Sequence, residues 1–144
     1  MIPLRIGVDA RELLGDATGV GRYLGELLRR WTAREDAARR RFVLFTPEPL
    51  SMPFPPGTVD IRVAGGGRGT WWEQTHLRRA VSHEPLDLFF APAYTAPLGT
   101  GLPLAVTIHA YELYCNPNPR LFVRALAACD RVITVTEYNK EYLI

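Results

Sequence analysis

The run LAVTI, residues 104–108, is apolar apart from Thr107. DLFF (87–90) and RVITV (131–135) are similar: apolar, without clean alternation. A strand with one wet face alternates apolar and polar residues, whereas a strand covered on both faces does not. The three runs therefore read as strands of a parallel sheet held between helical layers. Three more strands are expected upstream. PLRIGVDA (3–10) has Leu4, Ile6 and Val8 alternating, RFVLFTP (41–47) ends at Pro47, and VDIRVAG (59–65) has Val59, Ile61 and Val63 alternating.

Helical spacing fills the intervals. Val20, Leu24, Leu27, Leu28 and Trp31 form one apolar stripe. TWWEQTHLRRAVSHEP (70–85) turns Leu77, Ala80 and Val81 inward, RLFVRALAACD (120–130) is a short helix, and EYNKEYLI begins another at residue 137. Pro47 to Pro56, with five prolines, is a loop, and GGGRG (65–69) a flexible connection. Strands alternating with helices predict an α/β fold: a Rossmann-like, doubly wound, mostly parallel sheet flanked by helices. In such sheets ligands gather at the carboxyl ends of the strands, so the loops after residues 10, 92, 109 and 137 are the places to look.

The composition is that of one ordinary globular domain. A chain of 144 residues buries about 70% of its unfolded surface. A net charge of +2 argues against wholesale nucleic-acid binding. Of 17 basic residues only Lys140 is not arginine, and Arg29, Arg30, Arg34, Arg39, Arg40 and Arg41 crowd one segment. That cluster reads either as a solvated helix end, where cations suit the dipole, or as a patch for anionic membrane lipid. Cys115 and Cys129 have neither disulfide-framework nor metal-ligand spacing. There is no run of 18 apolar residues and no signal-peptide plan, so the expected location is the cytoplasm, and the lipid-patch reading of the arginines adds peripheral contact at the inner face of the membrane.

DATGVGRY (16–23) places Thr18, Gly19 and Gly21 directly ahead of the first helix. A tight turn is one reading. The other is a loop whose backbone N–H groups and helix N-terminus attract an anion. It has only part of the G-x-G-x-x-G spacing, with Leu24 at the last position, so a dinucleotide fingerprint is poorly supported. Asp9 and Glu12 flank Arg11, either as an ion pair lining the loop or as binders of an acceptor hydroxyl. Trp71 and Trp72 suit packing or a sugar platform, and His76 and His83 carry no evident chemistry. No Walker loop, G-x-S-x-G, H-E-x-x-H or Asp-x-Asp occurs.

RIGVDAREL, TGVGRYLGELLRRW, WWEQTHLRRA, DLFFAPAYTAPL, AVTIHA and ACDRVITVTEYNKEYL, in that order, resemble the N-terminal half of a family-4 retaining glycosyltransferase of the GT-B fold. The resemblance covers nearly the whole chain. It implies an acceptor-side Rossmann-like domain over residues 1–144, with the donor-binding C-terminal domain absent from this chain. The whole enzyme would be of hexosyltransferase type. It would carry a sugar from a nucleotide-diphosphate sugar to a glycan or lipid-linked acceptor, as in cell-envelope polysaccharide synthesis. No cofactor, metal or nucleic acid is expected.

By the same resemblance Gly19, Val20, Gly21 and Arg22 meet the donor phosphate, and His109 is the catalytic residue, contacting the donor sugar. Asp9, Arg11, Tyr94, Thr136 and Glu137 are the expected acceptor-side residues. The sequence departs from the family pattern at Ala110, where relatives carry Asp, and in the short stretch from His109 to Arg131. The isolated chain is expected to be inactive. A non-catalytic nucleotide- or glycan-binding module is the alternative.

Overall fold

The computed structural model describes residues 1–16, 18–109 and 118–143. Six strands form one sheet: β1 (Leu4–Asp9), β2 (Arg40–Thr46), β3 (Val59–Val63), β4 (Leu88–Ala91), β5 (Leu104–Ile108) and β6 (Arg131–Thr134). Their spatial order is β3-β2-β1-β4-β5-β6, and every neighbouring pair is parallel. Ile6 stands between Phe42 of β2 and Leu88 of β4 in register. The chain runs outward from β1 to β3, then returns to place β4 on the other side of β1. That reversal opens a crevice at the carboxyl ends of β1 and β4.

The apolar runs split between the two faces as a two-residue period requires. Phe42 and Leu44 join Val8, Ala10, Leu24, Leu28 and Phe90 on one face. Val43 and Phe45 point the other way, to Trp72, Leu77, Val81, Phe89, Val106, Ile108 and Phe122. The first face is covered by α1 (Gly19–Thr32), where Leu24 and Leu28 are fully buried and Tyr23, Leu27 and Trp31 flank them. Each fully buried leucine contributes roughly 1.5–3 kcal/mol. Trp31 stacks on Phe42, with ring centroids 5.5 Å apart. The proline-rich loop adds Leu50 and Phe54 to the same cluster.

The second face is covered by the helical stretch from residue 69 to 83 and by α4 (Pro119–Ala128), whose Asn118 cap accepts from the Leu121 amide at 3.2 Å. The expected helix over 70–85 is one continuous rod, with a wide turn that periodicity does not reveal. It comprises α2 (Gly69–Trp72), a π turn (Glu73–Leu77) and α3 (Arg78–His83). The tryptophan pair is divided by this rod: Trp72 is fully buried and Trp71 is 69% exposed.

RVITV departs from its reading as a strand buried on both faces. Val132 and Ile133 are 42% and 39% exposed, because among the described residues β6 pairs with β5 alone. A last helix, α5 (Glu137–Leu143), follows it. No described helix is long and apolar enough to cross a membrane.

Candidate functional site

At the carboxyl end of β1 the chain turns at once into a 3-10 turn, Arg11–Leu13. Buried Asp9 fixes this bend by accepting from the Arg11 amide at 3.2 Å and from its guanidinium Nη2 at 2.6 Å. The same guanidinium bonds Glu73, on the π turn, and the Gly69 carbonyl at 3.2 Å, and it lies over the Trp72 ring. Burial opposes the Arg11 charge, but Asp9 and Glu73 outweigh it and hold the guanidinium well above its ordinary pKa. Glu73 is fully buried and saturated further. It accepts from the Thr95 hydroxyl at 2.7 Å and from the Gln74 amide at 2.9 Å. Gln74 also donates to the Ala96 carbonyl. One buried network therefore ties the loop after β1 to the π turn and to the loop after β4.

Above this network is a cavity of about 670 Å³. Arg11, Glu12 and Gly15 form one wall, Pro47, Glu48 and Arg68 another, and Gly69, Thr70, Trp72, Tyr94, Thr95 and Asn118 complete it. It sits at the carboxyl ends of the strands, where β1 and β4 diverge. Arg68 and Glu48 pair across its exposed mouth.

Of the expected residues, Arg11 and Tyr94 line this cavity, and Asp9 supports Arg11 from beneath. Thr18 caps α1, its hydroxyl accepting from the Gly21 amide at 3.0 Å. That amide is thereby occupied within the helix start. Gly21 is needed for a different reason: a Cβ there would collide with the Glu12 carbonyl oxygen. Gly19 has open space around it, Val20 is half-buried and Arg22 is exposed. His109 follows β5. Its Nε2 lies 2.9 Å from the Pro92 carbonyl, which can only accept, so Nε2 carries the proton. Tyr23 of α1 meets the imidazole edge-on at 5.1 Å and bonds Thr107 through its hydroxyl. The imidazole is thus joined to α1 through Tyr23.

Thr136 and Glu137 stand at the start of α5. The Thr136 hydroxyl accepts from the Asn139 amide, and Glu137 is exposed beside Lys140. Ala110 and Cys115 lie outside the described residues. Five of the six clustered arginines have carboxylate partners: Arg29 and Arg30 with Glu26, Arg34 and Arg40 with Asp36, and Arg41 with Asp60. Arginine hydrogen bonds hold the Asp36 carboxyl well below its usual range.

Sequence reasoning missed Glu73, Thr95, Glu48 and Arg68. Glu73 leaves one trace, a carboxylate next to Trp72 on the inward side of a helix. Glu48 and Arg68 are joined only by the fold, since 20 residues separate them.

The family model for glycosyltransferase family 4 matches residues 17–144, from the end of the first loop onward. Comparison with curated proteins and with solved structures gave no match. The match spans the capped start of α1, the rod that carries Glu73, and every strand after β1. With the parallel sheet and the switch-point cavity, it establishes that the chain belongs to glycosyltransferase family 4.

Proposed function

We propose that this domain is the acceptor-side half of a retaining, hexosyltransferase-type enzyme. A nucleotide-diphosphate sugar is the donor, and the acceptor is a hydroxyl of a glycan or lipid-linked glycan of the cell-envelope type. The observation that carries the reading is the polar, aromatic-walled cavity at the β1/β4 switch point of a family-4 chain. Most donor contacts belong to a second Rossmann-like domain. On this side the diphosphate meets the exposed start of α1, with Gly19, Val20 and Arg22, where a helix N-terminus and a guanidinium favour developing negative charge. His109 orients the donor sugar, and the acceptor hydroxyl attacks from the face that the diphosphate leaves. The reading requires no metal. It places the enzyme in the cytoplasm, with peripheral contact to anionic lipid through Arg29, Arg30, Arg34, Arg39, Arg40 and Arg41 as a subordinate part, limited by their ion pairs.

Two observations favour a second reading, a binding module without catalysis. The Gly21 amide and the His109 Nε2 proton are already engaged inside the domain. Calorimetry of the chain with a nucleoside diphosphate and with a set of glycans separates the two. The enzyme-half reading expects weak nucleotide binding, measurable glycan binding and no transfer by the chain alone. Tight nucleotide binding by these residues supports the module instead, and robust turnover by them overturns the split between domains.

A further inference from the structure

Resting on the reading of the switch-point cavity as the acceptor site, we infer that it selects an uncharged or cationic sugar and turns away acceptors that bear phosphate or carboxylate near the docking group.

The argument begins with Arg11, the residue best placed to hold an anion. A guanidinium has five N–H groups, and a phosphate clamp uses two of them side by side. Here Nε and Nη2 are committed to Asp9 and Glu73, and one Nη1 hydrogen goes to the Gly69 carbonyl. One N–H is left, too few for a bidentate grip. The other cation on the wall, Arg68, is paired with Glu48 through Nε and Nη2, which offsets its charge and leaves its three remaining N–H groups at the exposed mouth. Glu12 accepts from the Thr18 hydroxyl and forms no ion pair among the described residues. Four carboxylates, Asp9, Glu12, Glu48 and Glu73, thus stand against two guanidiniums at this site.

Two helix starts border the cavity and pull the other way. Gly69 and Thr70 open α2, and Asn118 caps α4. Each N-terminus is worth about half a positive charge. Together they offset about half of the two-carboxylate excess, so the site stays net negative. The Glu12 and Glu48 carboxylates, together with the hydroxyls of Thr70 and Thr95 and the half-buried Tyr94 ring, match the hydroxyl edge and C–H face of a pyranose. A negative charge on the ligand meets repulsion from Glu12 and Glu48; Arg11 has no clamp left to compensate, and Arg68 stands in water at the mouth beside its own carboxylate partner.

The test is an amide-resonance titration of the isotopically labelled chain at low ionic strength. Three probes are compared: methyl glucopyranoside, glucosamine and glucose 6-phosphate. The amides of Gly15, Gly69, Thr70 and Thr95 report the cavity. Methyl glucopyranoside and glucosamine are expected to shift them, with glucose 6-phosphate binding at least tenfold more weakly, about 1.4 kcal/mol. Added salt should narrow that gap, since the cause is electrostatic. The double variant Glu12→Gln/Glu48→Gln should reduce it to within about threefold of parity, by removing two unit charges.

Equal or tighter binding of glucose 6-phosphate at the cavity amides overturns the inference and leaves the acceptor reading standing. A gap indifferent to salt also overturns it, because the selection is then steric. If no sugar shifts those amides, the acceptor reading falls as well. Should the double variant fold poorly, the wild-type comparison with and without salt decides alone.

Discussion

Gly19 and Gly21 lie in the same turn of α1, yet their surroundings differ. An alanine Cβ at residue 21 would strike the Glu12 carbonyl, whereas nothing lies within 4 Å of one at residue 19. Gly21→Ala is expected to cost about 1–3 kcal/mol in urea unfolding, despite alanine's better helix propensity, because the 3-10 turn must shift. Gly19→Ala should cost nothing and is expected to gain a few tenths of a kcal/mol. Equal effects at the two positions would remove the steric account of Gly21. Buried Glu73 calls for a larger penalty. Glu73→Ala strips Arg11 of one of its two carboxylates and leaves the Thr95 hydroxyl without its acceptor. A loss of about 3 kcal/mol is expected by denaturant unfolding, at the low end for a broken buried pair because Asp9 remains. The sequence marks Arg11 and Asp9 as neighbours, but nothing local reveals that their partner is 62 residues away on another helix.

Among the elements, the helical rod from residue 69 to 83 has a register set by its wide turn. A π turn accommodates one extra residue and changes which side chains face inward on either side of it. Trp72 and Glu73 at its start, and Leu77 and Val81 at and beyond its end, all end up buried. Thr75, whose hydroxyl bonds the Trp71 carbonyl, sits inside the turn. Inserting an alanine after Thr75 adds a second extra residue that the wide turn cannot absorb, and should rotate one half of the rod by about 100° relative to the other. One pair or the other must then leave the core, at a cost of more than about 3 kcal/mol in denaturant unfolding. An intact Tm after the insertion would show that the turn does not set the register. At the end of α4, Cys129 is half-buried and donates its thiol to the Leu126 carbonyl. Burial pushes its pKa above the ordinary thiol value, so less thiolate forms near neutral pH. In a Cys115→Ser background, alkylation near neutral pH should be slower than for free cysteine and should accelerate only at more alkaline pH. A fast reaction at neutral pH would contradict the burial.

At the scale of the molecule, the arginine-rich segment is largely neutralised by its own carboxylates. Flotation with anionic vesicles is expected to show weak binding at low salt and none at about 0.15 M, where screening acts over about 8 Å. Salt-resistant flotation would point to an apolar anchor instead. The sheet itself was readable because LAVTI and DLFF lack alternation, and helices on both faces are the arrangement that tolerates this. RVITV follows the same logic but is partly exposed among the described residues, where β6 pairs with β5 alone, since strand position in the sheet, not composition, decides whether both faces are covered. Strand types, the apolar stripe of α1 and the capped glycine turn are local properties of spacing, and the amino-acid sequence determined them by itself. The strand order, the position of β6, the π turn and the Asp9–Arg11–Glu73 network arise from contacts distant along the chain. Only the tertiary structure decided them, because burying a charge requires a partner in space, and the spacing of residues does not record which one.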